Sequence, residues 1–96
     1  MTVDFNKNGE TLRIALDGRL DTVSAPELDG FLRENYDGSV ALVIDCKKLE
    51  YVSSAGLRVL LWAQKKTKES MKLINVNELV MEVFDMTGFT DVFTIE

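Results

Sequence analysis

Apolar and polar residues alternate near the start of the chain, and this pattern predicts a β-hairpin. The alternation runs over residues 3–5 and again over residues 12–16, and the pair Asn8-Gly9 lies between the two runs. Alternation with a period of two is typical of a strand with one buried face. Asn-Gly tolerates the positive φ angles of a type I′ turn, so we expect two antiparallel strands joined at this pair.

The next pattern predicts a helix from Ala25 to Tyr36. Ser24 lies three residues before Glu27, which is the spacing of a capping box. Val23 and Leu28 occupy the positions of a hydrophobic staple around that cap. The sequence therefore predicts that Ser24 caps this helix.

The rest of the chain alternates between predicted strands and helices. A continuous apolar run, Val40–Ile44, indicates a strand buried on both faces that ends at Asp45. The later elements are a helix at Ala55–Lys68, a strand at Lys72–Val76, a helix at Glu78–Met86 with Leu79 among its inward residues, and a strand at Val92–Ile95. The order β-β-α-β-α-β-α-β predicts an α/β sandwich with a mixed sheet and with helices mainly on one face.

Composition narrows the class of protein. Ninety-six residues are enough for a single domain, 1–96, with an ordinary hydrophobic core. The hydrophobic fraction is 46%, but no apolar run in the sequence is long enough to cross a membrane. The polar residues 1–10 do not resemble a secretion signal. A net charge of −5 argues against a nucleic-acid partner, which would require a basic surface.

The chain has no histidine, and this excludes several kinds of active site. Neither a Ser-His nor a Cys-His nucleophile pair can be built, nor can the common zinc sites. Cys46 is the only cysteine, so no intramolecular disulfide forms, and we expect a reducing, cytoplasmic location. We therefore predict a protein that is not an enzyme and has neither a metal nor a cofactor.

The segment from Asp45 to Leu61 is the most informative one for function. We expect a strand to end here, a loop to follow, and a helix to begin near Ser53–Gly56. Functional groups of open α/β sheets lie beyond the carboxyl ends of the strands. Ser54 has two interpretations at this point: an N-cap of the helix, or an accessible hydroxyl that could carry a phosphate on the helix dipole.

Three motifs in this sequence resemble the STAS domain, the family of bacterial anti-sigma factor antagonists and of the sulfate-transporter tail. Residues 51–61, YVSSAGLRVLL, are similar to the signature of the family. Residues 17–21, DGRLD, are similar to its early Gly-x-Leu-Asp element. Residues 84–89, FDMTGF, together with the pair Val92-Phe93, are similar to its closing segment. The resemblance covers essentially the whole chain and implies a STAS-like fold.

The resemblance also implies a mechanism called partner switching. In this family an unphosphorylated antagonist binds a serine kinase that is also an anti-sigma factor, and the sigma factor is released. The kinase then phosphorylates the antagonist, which dissociates, and a PP2C-type phosphatase reverses the step. Alignment on Gly56-Leu57 places the acceptor at Ser54. Because many antagonists have an aspartate where this chain has Ser53, Ser53 is a second candidate.

Further residues are expected near the acceptor. The resemblance places Asp21 on the partner-facing surface, with Thr22 beside it, although Asp21 could also be a turn or capping residue and Thr22 simply a loop residue. Ala55 and Gly56 are small, so another backbone could come close, but Gly56 could equally be required for packing.

Two more residues follow the acceptor along the predicted helix. Arg58 lies four residues after Ser54, so it could hold a phosphate, meet an acidic partner, or be solvated. Trp62 lies one turn further on and is either an exposed interface anchor or a residue at the core edge.

Two other functions are compatible with these residues. The chain could be a constitutive STAS subunit of a transporter or of a sensory scaffold, in which no serine is modified. It could also be a nucleotide-binding module, although it lacks a glycine-rich phosphate loop. The main hypothesis remains an anti-sigma factor antagonist, expected to be a monomer, with a kinase and a phosphatase as partners.

Overall fold

The computed structural model describes residues 1–96 and has five strands and three α-helices. The strands are β1 Thr2–Asn8, β2 Thr11–Leu20, β3 Ala41–Val52, β4 Met71–Ile74 and β5 Thr94–Ile95. The helices are α1 Ala25–Asn35, α2 Ser54–Lys66 and α3 Glu78–Thr87, followed by a 3-10 turn at Phe89–Asp91. The predicted element order is confirmed. Each helix is too short or too polar to be a membrane span.

The five strands form one mixed sheet in the order β1-β2-β3-β4-β5. β1 and β2 are antiparallel, whereas each later neighbouring pair is parallel. The residues between β1 and β2 are Gly9 and Glu10, and of these only Gly9 has a positive φ, at 62°. The hairpin is therefore confirmed, but its turn is displaced by one residue and is not of type I′, which needs two positive φ angles.

The core lies between one face of the sheet and the helices. Ile14 of β2 is aligned with Ile44 of β3, and both are fully buried. The opposite face is polar, as the ion pair between Arg13 and Asp45 at 2.9 Å shows. This arrangement confirms helices on one face. It also shows that the predicted strand at Val40–Ile44 is present but is not buried on both faces as predicted, because burial alternates along β3 and Val43 is only half-buried.

β3 continues well beyond its predicted end at Asp45 and reaches Val52. The register between β2 and β3 shifts twice, and these irregularities let the strands stay paired until Leu20 meets Val52. Cys46 therefore lies within the strand, where it is fully buried. Because β3 extends to Val52, α2 begins directly beside the end of β2.

α3 differs from its prediction on one face. Val80 and Phe84 are fully buried, but Leu79 is 54% exposed, so its predicted inward position was wrong. Residues 79 and 80 differ by about 100° around a helix, so only one of them can face the core directly. The helix ends at Thr87, and the φ of 80° at the following residue, Gly88, is the left-handed conformation that favours glycine.

Candidate functional site

The N-terminus of α2 is capped by Ser53. Its backbone is extended, and its Oγ accepts a hydrogen bond from the Gly56 N–H at 3.4 Å. Its own N–H donates to the Leu20 carbonyl oxygen at 2.8 Å, which ties the cap to the end of β2. Of the two interpretations of Ser54, the helix cap is thus excluded, because the neighbouring serine has that role.

Ser54 is the first residue of α2 and is exposed. The N–H groups of Ser53 and Gly56 have acceptors, while those of Ser54 and Ala55 have none within the helix. The first turn of α2 has no acidic residue. A negative charge attached to the Ser54 hydroxyl would therefore lie at the positive end of the helix dipole, with no carboxylate beside it in that turn.

Gly56 brings α2 close to the sheet. It is buried, and a Cβ built on it would lie 2.6 Å from Leu20 Cγ and 2.9 Å from the Leu20 carbonyl oxygen. Any side chain here would push the helix away from β2. Of the two predicted roles of Gly56, packing is the one that these contacts explain. The close packing fixes the first turn of α2, where Ser54 lies, against the end of β2.

Asp21 organises the turn between β2 and α1. Its Oδ1 accepts hydrogen bonds from the N–H groups of Val23 at 3.0 Å and Ser24 at 3.1 Å. The Ser24 hydroxyl donates to the Arg19 carbonyl oxygen and makes no cap bond to α1, so the predicted capping box was wrong. The backbone hydrogen bond from Ser24 is the main reason that the pKa of Asp21 lies below its usual value.

The same turn projects Val23 into solvent. Val23 is 82% exposed, so the predicted hydrophobic staple with Leu28 does not form. The Asp21 carboxylate holds the Val23 backbone, and Thr22 beside it is also exposed. Sequence patterns did not identify Val23 as a surface residue, because an apolar residue before a helix is usually assigned to packing.

A shallow groove between α1 and α2 brings several of the predicted residues together. Its volume is about 240 Å³, and it is lined by Thr22, Ala25, Pro26, Asp29, Ala55, Arg58 and Val59. Arg58 is exposed and forms none of the ion pairs of the protein. Asp29 is already paired with Arg33, at 3.0 Å. The groove therefore has one uncompensated positive charge next to the start of α2.

Trp62 lies outside this groove. It is half-buried and packs against the core, and the Arg33 guanidinium lies 4.7 Å from the centre of its ring. Of its two predicted roles, the structure shows the residue at the core edge rather than a freely exposed anchor. Arg33 thus links Trp62 to Asp29 on the wall of the groove.

No cluster of three or more potential metal ligands exists in the protein. Cys46 is enclosed by the core, and burial raises the pKa of its thiol to about 12, so it is not a reactive nucleophile. The hydroxyl of Ser54 is the accessible group that lies beside both a helix N-terminus and an unpaired arginine.

Comparison with known proteins decides the family. The family model described as "Mlab, STAS domain" matches residues 3–95. The chain belongs to the STAS domain family. This STAS chain is also 32% identical over 98 residues to the anti-sigma-B factor antagonist of Bacillus subtilis, covering 99% of this chain and 90% of that protein.

Solved structures of anti-sigma factor antagonists share this fold. One from Mycobacterium paratuberculosis has a TM-score of 0.85 at 23% identity, covering 98% of this chain and 83% of its own. The Bacillus cell fate determinant SpoIIAA in its phosphorylated form has a TM-score of 0.73 at 18% identity, covering 99% of this chain and 91% of its own. The predicted STAS-like sandwich is therefore confirmed.

Proposed function

We propose that this STAS chain is an anti-sigma factor antagonist that works by partner switching, with Ser54 as the phosphate acceptor. The observation that carries the proposal is the free, exposed hydroxyl of Ser54 at the first position of α2. The relationship to the anti-sigma-B factor antagonist supports the regulatory role. The phosphorylated state of SpoIIAA, which has the same fold, supports the modification.

The two serines at this turn differ in how available they are. The Ser53 hydroxyl accepts the Gly56 N–H, and the residue is half-buried. Phosphorylation of Ser53 would place a bulky dianion in the cap, between α2 and the end of β2. Ser54 can be modified without breaking a hydrogen bond of the cap. This difference favours Ser54 over the second candidate.

The covalent step belongs to the kinase, and this chain supplies the nucleophile. The Ser54 Oγ attacks the γ-phosphorus of ATP, a new O–P bond forms, and the bond between that phosphorus and the bridging oxygen breaks. ADP leaves, and the hydroxyl proton passes to a base of the kinase. In the reverse step a PP2C-type phosphatase hydrolyses the phosphoserine with water. The chain itself acts by binding and performs no catalysis.

The phosphate ends the complex through charge and desolvation. It adds about −1.5 to −2 charges near pH 7 to a surface that previously presented a neutral hydroxyl. The surface around it comprises the groove residues Thr22, Ala55 and Arg58, together with the turn built by Asp21. Each tenfold loss of affinity corresponds to about 1.4 kcal/mol, so a penalty of a few kcal/mol is enough for release.

Substitution of Ser54 tests the proposal. The binding assay uses a serine kinase isolated from the same cells. This kinase is identified by its binding to the parent chain in the presence of ADP. We expect Ser54→Asp to bind at least about tenfold more weakly than the parent, a loss of about 1.4 kcal/mol. Ser54→Ala should bind like the parent but stay bound when ATP replaces ADP.

Ser53→Ala is the matched control. It removes a hydroxyl from the same turn but leaves Ser54 intact, so the variant should still be released by ATP. Equal binding of the parent, Ser54→Asp and Ser54→Ala under both nucleotides would contradict the proposal. It would favour a constitutive STAS subunit of a larger assembly instead.

A further inference from the structure

The arginines of this chain are not equivalent. Arg13 is paired with Asp45 at 2.9 Å. The Arg19 guanidinium lies over the Tyr51 ring at 4.5 Å, and its Nε is 3.9 Å from Asp21. Arg33 donates to both carboxylate oxygens of Asp29 and covers Trp62. Arg58 is the remaining one, exposed and without an acidic partner.

We propose that, when Ser54 carries a phosphate, the guanidinium of Arg58 binds that phosphate across one turn of α2. Residues four apart on a helix are neighbours, with Cβ atoms about 5–6 Å apart, and a guanidinium reaches that far easily. The order is also the favourable one, with the anion toward the N-terminus and the cation toward the C-terminus. The planar fork of arginine matches two phosphate oxygens.

No ion pair of the structure engages Arg58. The carboxylate that shares the groove is Asp29, and Arg33 occupies both of its oxygens. Ala55 also lines the groove but ends at its Cβ, so it obstructs little of the space beside the helix. Binding would neutralise the one uncompensated positive charge of the groove. Phosphorylation would then change the groove as well as the serine.

The test measures the second pKa of the phosphate by phosphorus NMR. This inference rests on the proposed modification of Ser54, so phosphoserine is installed at position 54 during translation and no kinase is needed. The second pKa of phosphoserine is ordinarily about 6, and a bound guanidinium lowers it. We expect Arg58→Gln to raise this pKa by about half a unit to one unit, since a charge at about 4 Å in water contributes about that much.

Lys65→Gln is the matched control. It removes one positive charge from the same helix, but Lys65 is exposed in the last turn of α2, about 16 Å from Ser54 along the axis. We expect a rise of under about 0.2 unit for this variant, and Arg58→Lys should retain most of the parent's lowered pKa. Equal phosphate pKa values in the parent, Arg58→Gln and Lys65→Gln would overturn the inference. A kinase that fails to bind the chain would contradict the proposed function while leaving this measurement intact.

Discussion

Gly56→Ala tests how closely α2 approaches the sheet. The new Cβ would lie 2.6 Å from Leu20 Cγ, 3.0 Å from its Cδ2 and 2.9 Å from its carbonyl oxygen. The side-chain atoms could move, but the carbonyl oxygen is backbone and accepts the Ser53 N–H at 2.8 Å. The helix must therefore shift and weaken the bond that ties its cap to β2.

The expected cost follows from three contributions. Overpacking in a well-packed site costs about 1–3 kcal/mol. Weakening the hydrogen bond to Leu20 adds up to about 1 kcal/mol. The better helix propensity of alanine offsets up to about 1 kcal/mol. The net loss of unfolding free energy is about 2 kcal/mol, and for a domain of this size this lowers the Tm by about 8–16 °C.

Thermal unfolding followed by circular dichroism measures this change. The matched control is Gly30→Ala in α1, because Gly30 is exposed and a Cβ there meets nothing within 4 Å. We expect this control to be as stable as the parent or more stable, by up to about 1 kcal/mol. If Gly56→Ala melts at or above the Tm of the parent while Gly30→Ala behaves as expected, α2 does not approach the sheet as closely as these contacts indicate.

Three further predictions concern the turn, the thiol and the core. The folded-state pKa of Asp21 is lowered chiefly by the Ser24 N–H, so its contribution to stability is present above about pH 4 and is lost as the pH falls further. In NMR the Ser24 amide should titrate with Asp21 below about pH 4; an unchanged amide shift would contradict the turn geometry. The buried thiol of Cys46, with a pKa of about 12, should react with a thiol reagent only after unfolding, and rapid reaction of the native protein would exclude this burial. In urea unfolding, Leu60→Ala should lower the unfolding free energy by about 2–5 kcal/mol and Leu79→Ala by under about 1 kcal/mol. Similar losses in the two variants would contradict the difference in burial between Leu60 and Leu79.

The order of strands and helices could be predicted because its local signals are strong. The alternating run of β2 and the helical spacing in α2 each match the buried faces of these elements, whereas β1 is mostly exposed despite its alternation. The end of β3 could not be predicted in this way. Its register with β2 shifts between Ala15 and Asp17 and again between Gly18 and Arg19. Such irregularities break the period of two on which strand prediction depends.

The details of the site depend on contacts between distant parts of the chain. By local rules either Ser53 or Ser54 could cap α2. In the structure Ser53 is the cap, and its N–H also donates a hydrogen bond to the Leu20 carbonyl oxygen. Asp21 and Ser24 could likewise exchange roles before α1. The Ser24 hydroxyl donates a hydrogen bond to the Arg19 carbonyl oxygen, and the Asp21 carboxylate accepts the hydrogen bond from the Ser24 N–H within the turn. Family motifs indicated this candidate site, but only the three-dimensional structure distinguishes the free hydroxyl of Ser54 from the engaged hydroxyl of Ser53.

Mass spectrometry of the chain purified from its own cells would show directly whether Ser54 carries a phosphate. Trypsin releases residues 49–58 as one peptide that contains both serines. We expect the mass of one phosphate group on this peptide, with fragment ions that place it on Ser54. The phosphate should be absent from Ser54→Ala and retained in Ser53→Ala. A peptide that stays unmodified under every growth condition, or that carries its phosphate on Ser53, would contradict the role of Ser54 as the phosphate acceptor.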